Sequence, residues 1–590
     1  MVNKPASHRR WALLVTAVVC TAVLSVAVMR TSVSRGRLAF YPRLDDVMYM
    51  ARGAELAQAG REAWKRAGGW GGAFGAARAV AHDWKRQPPH SPWASGAAAI
   101  GFGAFGYREW AAYVPTALPV LGLLLCAARM ARRAGGWRNW RAHALVIFAA
   151  TAPFLAASEF ILKPDYAAGI CAAIAIMKAL RGPLLAAPWR RLVWIGVLFG
   201  LSLLAKPAMM LPTGMLAAGT LAICTARDLA LRSRQHRSAE RPMLRVCRAW
   251  LLVLGTMAVV AAPHYALALR GAWEYTAGTL TGEGIEMWGY RGSWGQHGAY
   301  YLTGPGGHLM LDGARSLIPL GLALALYGCF AFSPRSSGGR SRRRMVYFAA
   351  TLAALTMAWA GPTLATVKIP QFASCFSALL WLVGIRAAAG VCRAVRPPLV
   401  PRRSWLRRLR APLIASLLVG ALLAGRLATY RWTVPLWPAD RSEPARAKRD
   451  ARDEFVRRTY EAIRAECGAT ARGARSIVVA GGQYDLAWPL LRFWCIRDGV
   501  VLRVGEVQRK PETTDIAEAE RIGRSMLDGY DLLLVGQSVA RKDIPNVVQM
   551  DADEYYLGLA RTDARFELVA RTVDPASGAA FELFRRRAGL

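Results

Sequence analysis

The chain has 590 residues, 54% of them hydrophobic, with a mean hydropathy of +0.22, a composition that excludes an ordinary soluble globular protein. Lys and Arg outnumber Asp and Glu 77 to 38, yet from Arg431 onward the balance is 26 to 24, so +37 of the +39 formal charge belongs to the hydrophobic first 430 residues. Basic connectors between apolar runs are the positive-inside signature of a polytopic membrane protein, and no nucleic-acid partner is implied.

The first apolar run, Trp11 to Met29, follows Arg9 and Arg10 and is long enough to cross the ~30 Å hydrocarbon core. It reads as a retained helix entering from the cytoplasm, because no small-x-small cleavage site precedes the folded-looking segment after it. Further runs near 110–129, 142–160, 165–180, 192–205, 207–224, 249–269, 310–332, 346–362, 371–392 and 412–429 bring the expected spans to eleven. Alternation places the basic connectors around Arg132–Arg133, Arg190–Arg191, Arg227–Arg248, Arg335–Arg344 and Arg393–Arg410 on the cytoplasmic face. Of the 14 acids in the first 430 residues, only Asp228 and Glu240 fall on that side. The run Pro92–Phe105 is too short to span and reads as re-entrant or interfacial.

Three regions are expected on the far face: a loop from Arg30 to about Pro92, a loop from Gly271 to about His308, and the tail from Arg431. In the tail, Val456, Tyr460 and Ile463 have the spacing of an amphipathic helix over Ala447–Glu466. Ser476–Ala480 and Leu532–Val535 read as buried strands, with helices at about Leu486–Cys495 and Asp515–Leu527. Glu567–Thr572 and Ala580–Phe584, joined through Asp574, Pro575 and Gly578, read as a hairpin. The expected fold is therefore a polytopic α-helical membrane domain over residues 1–430, with about eleven transmembrane helices, followed by an extracytoplasmic α/β domain over 431–590.

Cysteines add little, since most lie in or beside apolar spans, where a thiol packs as a small hydrophobe. Cys467 and Cys495 fall in the outer domain, where an oxidising compartment permits either a disulfide or two thiols. No C-x-x-C or H-E-x-x-H spacing supports a zinc site, and no other cofactor is implied. Gly101, Gly103 and Gly106 spell G-x-G-x-x-G, but no strand precedes them, and close helix packing is the better reading.

The chemistry is expected on the outer face. Asp45 and Asp46 open an amphipathic stretch about fifteen residues after the first span; adjacent acids there either complement a helix N-terminus or supply a carboxylate base at the membrane surface. Lys206 sits between two apolar runs, where an ammonium either snorkels or meets an anion. Lys368, Arg270 and Arg291 are cations on a sparsely basic face. The Gly271–His308 loop carries Trp273, Tyr275, Trp288, Tyr290, Trp294, Tyr300 and Tyr301 amid glycines, suited to an interfacial belt or to stacking on sugar rings.

Asp45-Asp46 followed by Tyr49, just after the first membrane helix, resembles the Asp-Glu signature of the GT-C integral-membrane glycosyltransferases. The branch it resembles holds the protein O-mannosyltransferases, the lipid A aminoarabinose transferases and the lipopolysaccharide-core galacturonosyltransferases. His90-Ser91-Pro92-Trp93, Lys163-Pro164-Asp165, Leu204-Ala205-Lys206-Pro207 and Pro263-His264-Tyr265 follow in that family's order. The resemblance implies transfer of a sugar from a polyprenyl-phosphate carrier to an envelope acceptor on the outer face of a bacterial inner membrane. It assigns the base to Asp45, although Asp46 stands where the family has Glu, leaving the choice within the pair open. It makes Asp165 a second site carboxylate, orienting the acceptor or supporting a divalent metal, with a helix N-cap as the structural alternative. Lys206, His90, Tyr49, His264, Lys368 and Arg270 become candidates for substrate binding. A transporter, or an envelope scaffold using the outer domain as a binding module, are the other classes compatible with such a chain.

Overall fold

The computed structural model describes residues 8–34, 44–88, 91–134, 140–160, 162–206, 210–232, 242–281, 289–332 except 313, 339–394 except 366 and 369, 443–468, 475–480, 488–537 except 508–510, 512 and 514, and 547–587 except 576, 577 and 579. The chain divides into two compact units, the first comprising Met1–Val28, His90–Ala94 and Val114–Trp437, the second Met29–Pro89, Ser95–Tyr113 and Pro438–Leu590.

The first unit is a helix bundle. Among the described residues, five helical segments are long and apolar enough to cross a membrane unaided: Glu109–Ala134, Met210–Leu231, Met243–Glu274, Ser341–Leu364 and Gln371–Arg393. The expected spans before 412 fall largely on helix, but several are short, and 310–332 is interrupted at Asp312. Pro164–Leu180 and Trp189–Ala205 have 17 residues each, about 26 Å of helix, and the expected 142–160 span is two helices, Trp140–Ala150 and Pro153–Phe160. Pro153 ends the first of them, because its ring has no N–H and disfavours helical geometry before it. The expected span 412–429 lies outside the described residues. The core is built around Ser374–Ala394, whose Leu379, Trp381 and Leu382 are almost fully buried. It lies so close to Pro164–Leu180 that a Cβ on Gly169 would overlap the backbone at Ser374 and Cys375. Leu251, Val259, Ile318 and Leu322 face outward, as lipid-facing side chains do.

The helix Pro242–Thr281 runs ten residues past Gly271, where the sequence pattern alone predicts a loop. The residues Ala272-Trp273-Glu274-Tyr275 carry no breaker, and Arg270 pairs with Glu274 one turn on, which favours continued helix. Beyond it, short helices form at Trp294–Ala299 and Pro305–Leu311, the first closed by a capping box between Ser293 and Gln296.

In the second unit, helices Leu44–Ala67 and Gly69–Arg86 pack together. Arg52 ties them, pairing with Glu55 at 2.8 Å and Asp83 at 2.7 Å. The helix Trp488–Asp498 packs on Leu44–Ala67, with Arg492 against Glu55, and Phe493 stacks on Phe102 at 5.4 Å. Gly101 lies against the backbone of Ala111 so closely that any Cβ would collide. Close packing, and not a dinucleotide, therefore accounts for that glycine.

The rest of this unit is a five-stranded sheet of order β2-β1-β3-β5-β4, with β1 Ser476–Ala480, β2 Arg503–Val507, β3 Leu532–Gln537, β4 Phe566–Val573 and β5 Ala580–Arg586. β1 pairs parallel with both β2 and β3, while β5 runs antiparallel to β3 and β4. Residues Ile477–Ala480 of β1 and Leu532–Val535 of β3 are apolar and buried throughout, as strands covered on both faces must be. Gly578 turns the β4–β5 hairpin with φ 72°, a conformation that costs a side-chain-bearing residue far more. Helices Glu443–Gly468, Ile516–Leu527 and Val547–Thr562 complete the α/β layer, the second capped by the Asp515 carboxylate accepting from the Ala517 and Glu518 amides. Cys467 and Cys495 are free thiols. Burial, reinforced by the neighbouring Cys467 and Asp498, pushes the Cys495 thiol up to about 12.

Candidate active site

Within the first unit, four of the sequence motifs converge. Pro164 opens the helix Pro164–Leu180 with Lys163 as its N-cap residue, so Asp165 lies in the first turn and is not the cap. Its carboxylate is instead met by the Lys206 ammonium at 3.4 Å, with Asp165 2% and Lys206 7% exposed. Lys206 terminates Trp189–Ala205 in an extended conformation. An acid at a helix N-terminus and a base at a C-terminus each complement the local helix dipole, and their ion pair offsets part of the burial cost of both charges.

The other two motifs frame this pair. Ser91 donates to the Ala205 carbonyl at 2.6 Å and accepts from the Ala94 amide. This serine thus both caps the helix beginning at Pro92 and fastens its start to the turn carrying Lys206. Trp93 packs on Ala168 and Ala205. Tyr265 donates to the Leu203 carbonyl at 3.0 Å, fixing Pro242–Thr281 to the same turn and placing His264, 3% exposed, beside it with the two rings edge to face. The Ser374 hydroxyl donates to the Asp165 carbonyl at 2.8 Å. A cleft opens alongside, lined by Trp93, Thr116, Ser158, Lys163 and Tyr166 among others. Sequence reasoning lists Ser91 and Lys163 only as members of motifs and misses Tyr166, whose one signal is adjacency to Asp165, and Ser374, which has none.

Lys368 is buried, and its ammonium donates to the carbonyls of Pro362 at 2.9 Å, Ala365 at 2.7 Å and Thr363. It closes the C-terminus of the helix Gly339–Leu364, a use of lysine that satisfies orphan carbonyls. Tyr301 lies beneath it at 5.6 Å. Burial lowers the Lys368 ammonium to about 8. Arg270 is 93% exposed in its side chain and pairs with Glu274 at 2.8 Å.

In the second unit, Asp45, Asp46 and Tyr49 lie in the opening turns of Leu44–Ala67. Asp46 is 2% exposed and accepts a hydrogen bond from the Tyr113 hydroxyl at 3.3 Å. Tyr49 is buried on the same helix. The Asp45 side chain and all of His90 lie outside the described residues. Among the described residues, no group of three or more His, Cys, Asp or Glu side chains is arranged to hold a metal ion.

Residues 86–239 match the family model described as dolichyl-phosphate-mannose-protein mannosyltransferase. No curated protein sequence matches the chain. Similar solved structures include ArnT from Cupriavidus metallidurans bound to undecaprenyl phosphate, at 14% identity, covering 96% of this chain and 97% of that one with a TM-score of 0.49. The same protein in its apo state gives 15% identity, 94% and 98% coverage and a TM-score of 0.49. The apo Archaeoglobus fulgidus oligosaccharyltransferase gives 12% identity, 90% and 70% coverage and a TM-score of 0.42. The stretch that carries Asp165 and Lys206 is thus similar in sequence to that mannosyltransferase family model.

Proposed function

We propose that the protein transfers a sugar from a polyprenyl-phosphate-linked donor to an envelope acceptor on the outer face of a bacterial inner membrane. The observation that carries this reading is the family match over residues 86–239, whose namesake donor is a polyprenyl-phosphate sugar, with the buried Asp165–Lys206 pair inside it. The positive-inside charge pattern supports a cytoplasmic N-terminus and an extracytoplasmic tail from Arg431.

In such a reaction an acceptor hydroxyl or amine attacks the anomeric carbon, and the bond from that carbon to the phosphate oxygen breaks. The lipid phosphate leaves with the bonding electrons. A carboxylate of the Asp45–Asp46 pair removes the acceptor's proton as the new bond forms. Lys206 offers a cation to the leaving phosphate, whose charge grows as the bond breaks, and Asp165 holds that ammonium in place or orients the acceptor. His90, Tyr49, His264, Lys368 and Arg270 are assigned to substrate binding.

The test is glycosyl transfer by the purified full chain, reconstituted in lipid, from polyprenyl-phosphate sugars to envelope lipid acceptors. Asp45→Asn and Asp46→Asn each retain a helix-capping side chain but cannot accept a proton near neutral pH. The base should show a fall of roughly 10²- to 10⁴-fold with unchanged thermal unfolding. Full activity in both variants would eliminate the carboxylate mechanism, whereas loss in Asp46→Asn alone would move the base to the second acid.

A further inference from the structure

At the other end of the first unit lies a charge that the transfer reaction does not use. Arg386 belongs to the apolar segment Gln371–Arg393. It stands twelve residues beyond Ser374, the residue that touches Asp165, or about 18 Å along the helix. A guanidinium within a membrane span is costly and generally marks a partner. Among the described residues no carboxylate pairs with Arg386; its charged neighbours are Arg133 and Arg227. The acid paired with its neighbour Arg227 at 2.9 Å, Asp228, also accepts from the amides of Leu184 and Leu185.

In front of Arg386 is a cleft whose walls include Tyr327, Tyr347, Thr351, Phe348 and Val383. The Tyr347 hydroxyl is buried and makes no hydrogen bond, although its ring is held under the Arg227 guanidinium at 4.6 Å. Thr351 spends its hydroxyl on the Tyr347 carbonyl at 2.8 Å. The cleft therefore presents an unmatched guanidinium and an orphaned hydroxyl donor, in a net positive field and against an apolar wall. What completes it is an anion with several acceptor oxygens, attached to hydrocarbon. A phosphate accepts from a guanidinium fork and a hydroxyl at once. The helix ends beside the cleft carry Arg342, Arg343, Arg344 and Arg393, the arginine-rich face that the positive-inside rule assigns to the cytoplasm.

We propose that this cleft binds the phosphate of an anionic phospholipid from the cytoplasmic leaflet, between the helices Ala314–Phe332, Gly339–Leu364 and Ser374–Ala394. Basic pockets between transmembrane helices on that side are suited to such headgroups. The site is separate from the Asp165–Lys206 pair and does not depend on what sugar the enzyme transfers.

The full chain, delipidated in a neutral detergent, is titrated with phosphatidylglycerol, phosphatidylcholine or inorganic phosphate, reading thermal unfolding and bound lipid by native mass spectrometry. Phosphatidylglycerol should bind and raise the unfolding temperature, and phosphatidylcholine should not. Arg386→Leu should raise the phosphatidylglycerol concentration required by about tenfold or more, and Tyr347→Phe by about threefold to tenfold. Tyr347→Phe keeps the ring under Arg227, so it serves as the test if Arg386→Leu does not fold. Equal phosphatidylglycerol binding by wild type and Tyr347→Phe, or equal binding of the two lipids by wild type, overturns the proposal. Protection by inorganic phosphate with none from phosphatidylglycerol overturns the lipid assignment in favour of a soluble anion.

Discussion

Replacing Lys206 by Met deletes one charge of a buried pair and leaves the other stranded. At the observed 3.4 Å and an effective dielectric of about 20, the pair attracts by about 5 kcal/mol. Desolvation of both groups consumes much of that, but breaking such a pair from one side typically costs about 3–5 kcal/mol, because an uncompensated charge remains buried. Lys206→Met and Asp165→Asn should therefore each be destabilised by several kcal/mol, while the double variant, with no ion left to bury, should regain most of the loss. The four proteins are compared by denaturant unfolding in detergent, alongside apparent affinity for the lipid donor. Simple addition of the two single losses in the double variant would refute the pair as a coupled unit. Activity separates the roles: if Lys206 only neutralises Asp165, donor affinity returns with stability, whereas if it serves the donor phosphate, affinity in the double variant stays down by about tenfold or more.

Tyr113→Phe should lower transfer activity if Asp46 is the base, since it removes the hydroxyl that donates to Asp46; an unchanged pH–rate profile would argue against that role. Cys495, 2% exposed and with its thiol pushed up to about 12, should resist alkylation at pH 8 until the protein is unfolded, and prompt labelling of the native chain would contradict its burial. Lys368 falls to about 8 in the folded chain from an ordinary 10.5. The unfolded state therefore holds more protons between those values, and the contribution of this group makes stability rise with pH across that window; a pH series on Lys368→Met should flatten the slope. A reporter fused after Leu590 should be active outside the cytoplasm and one near Gly338 only within it, and the reverse result would place the proposed chemistry on the wrong face.

Much of the fold is legible from one-dimensional signals. Apolar runs bounded by arginine locate most of the bundle helices before residue 395, while Gly69–Arg86 forms where the pattern reads as loop; short apolar runs locate β1 and β3, and turn residues the β4–β5 hairpin. β2 escapes because Arg503-Val504-Gly505-Glu506-Val507 is an edge strand, exposed or half-buried along its length, with too little apolar pattern to stand out. The helix Val547–Thr562 escapes because Asp551, Asp553 and Glu554 interrupt the apolar periodicity of its sequence. At the candidate site the motifs can be read but not their mutual use. Lys206 and Asp165 are 41 residues apart, and nothing in either motif names the other as partner. Ser91 reads as one residue of a motif; its function as a clasp exists only once Ala205 lies against it.

The ion pair between Glu55 and Arg492 joins residues made far apart in time. More than four hundred residues separate them, which at cellular synthesis rates is a delay of about 20 to 90 seconds. During that interval the helix Leu44–Ala67 has emerged without the surface it finally packs against. Docking of the helix Trp488–Asp498 on Leu44–Ala67 is therefore a late step in the making of this unit. A ribosome that stalls before Trp488, or a nonsense mutation there, would leave the early helices without Arg492 and Phe493, exposing an apolar face to the quality-control proteases of the compartment.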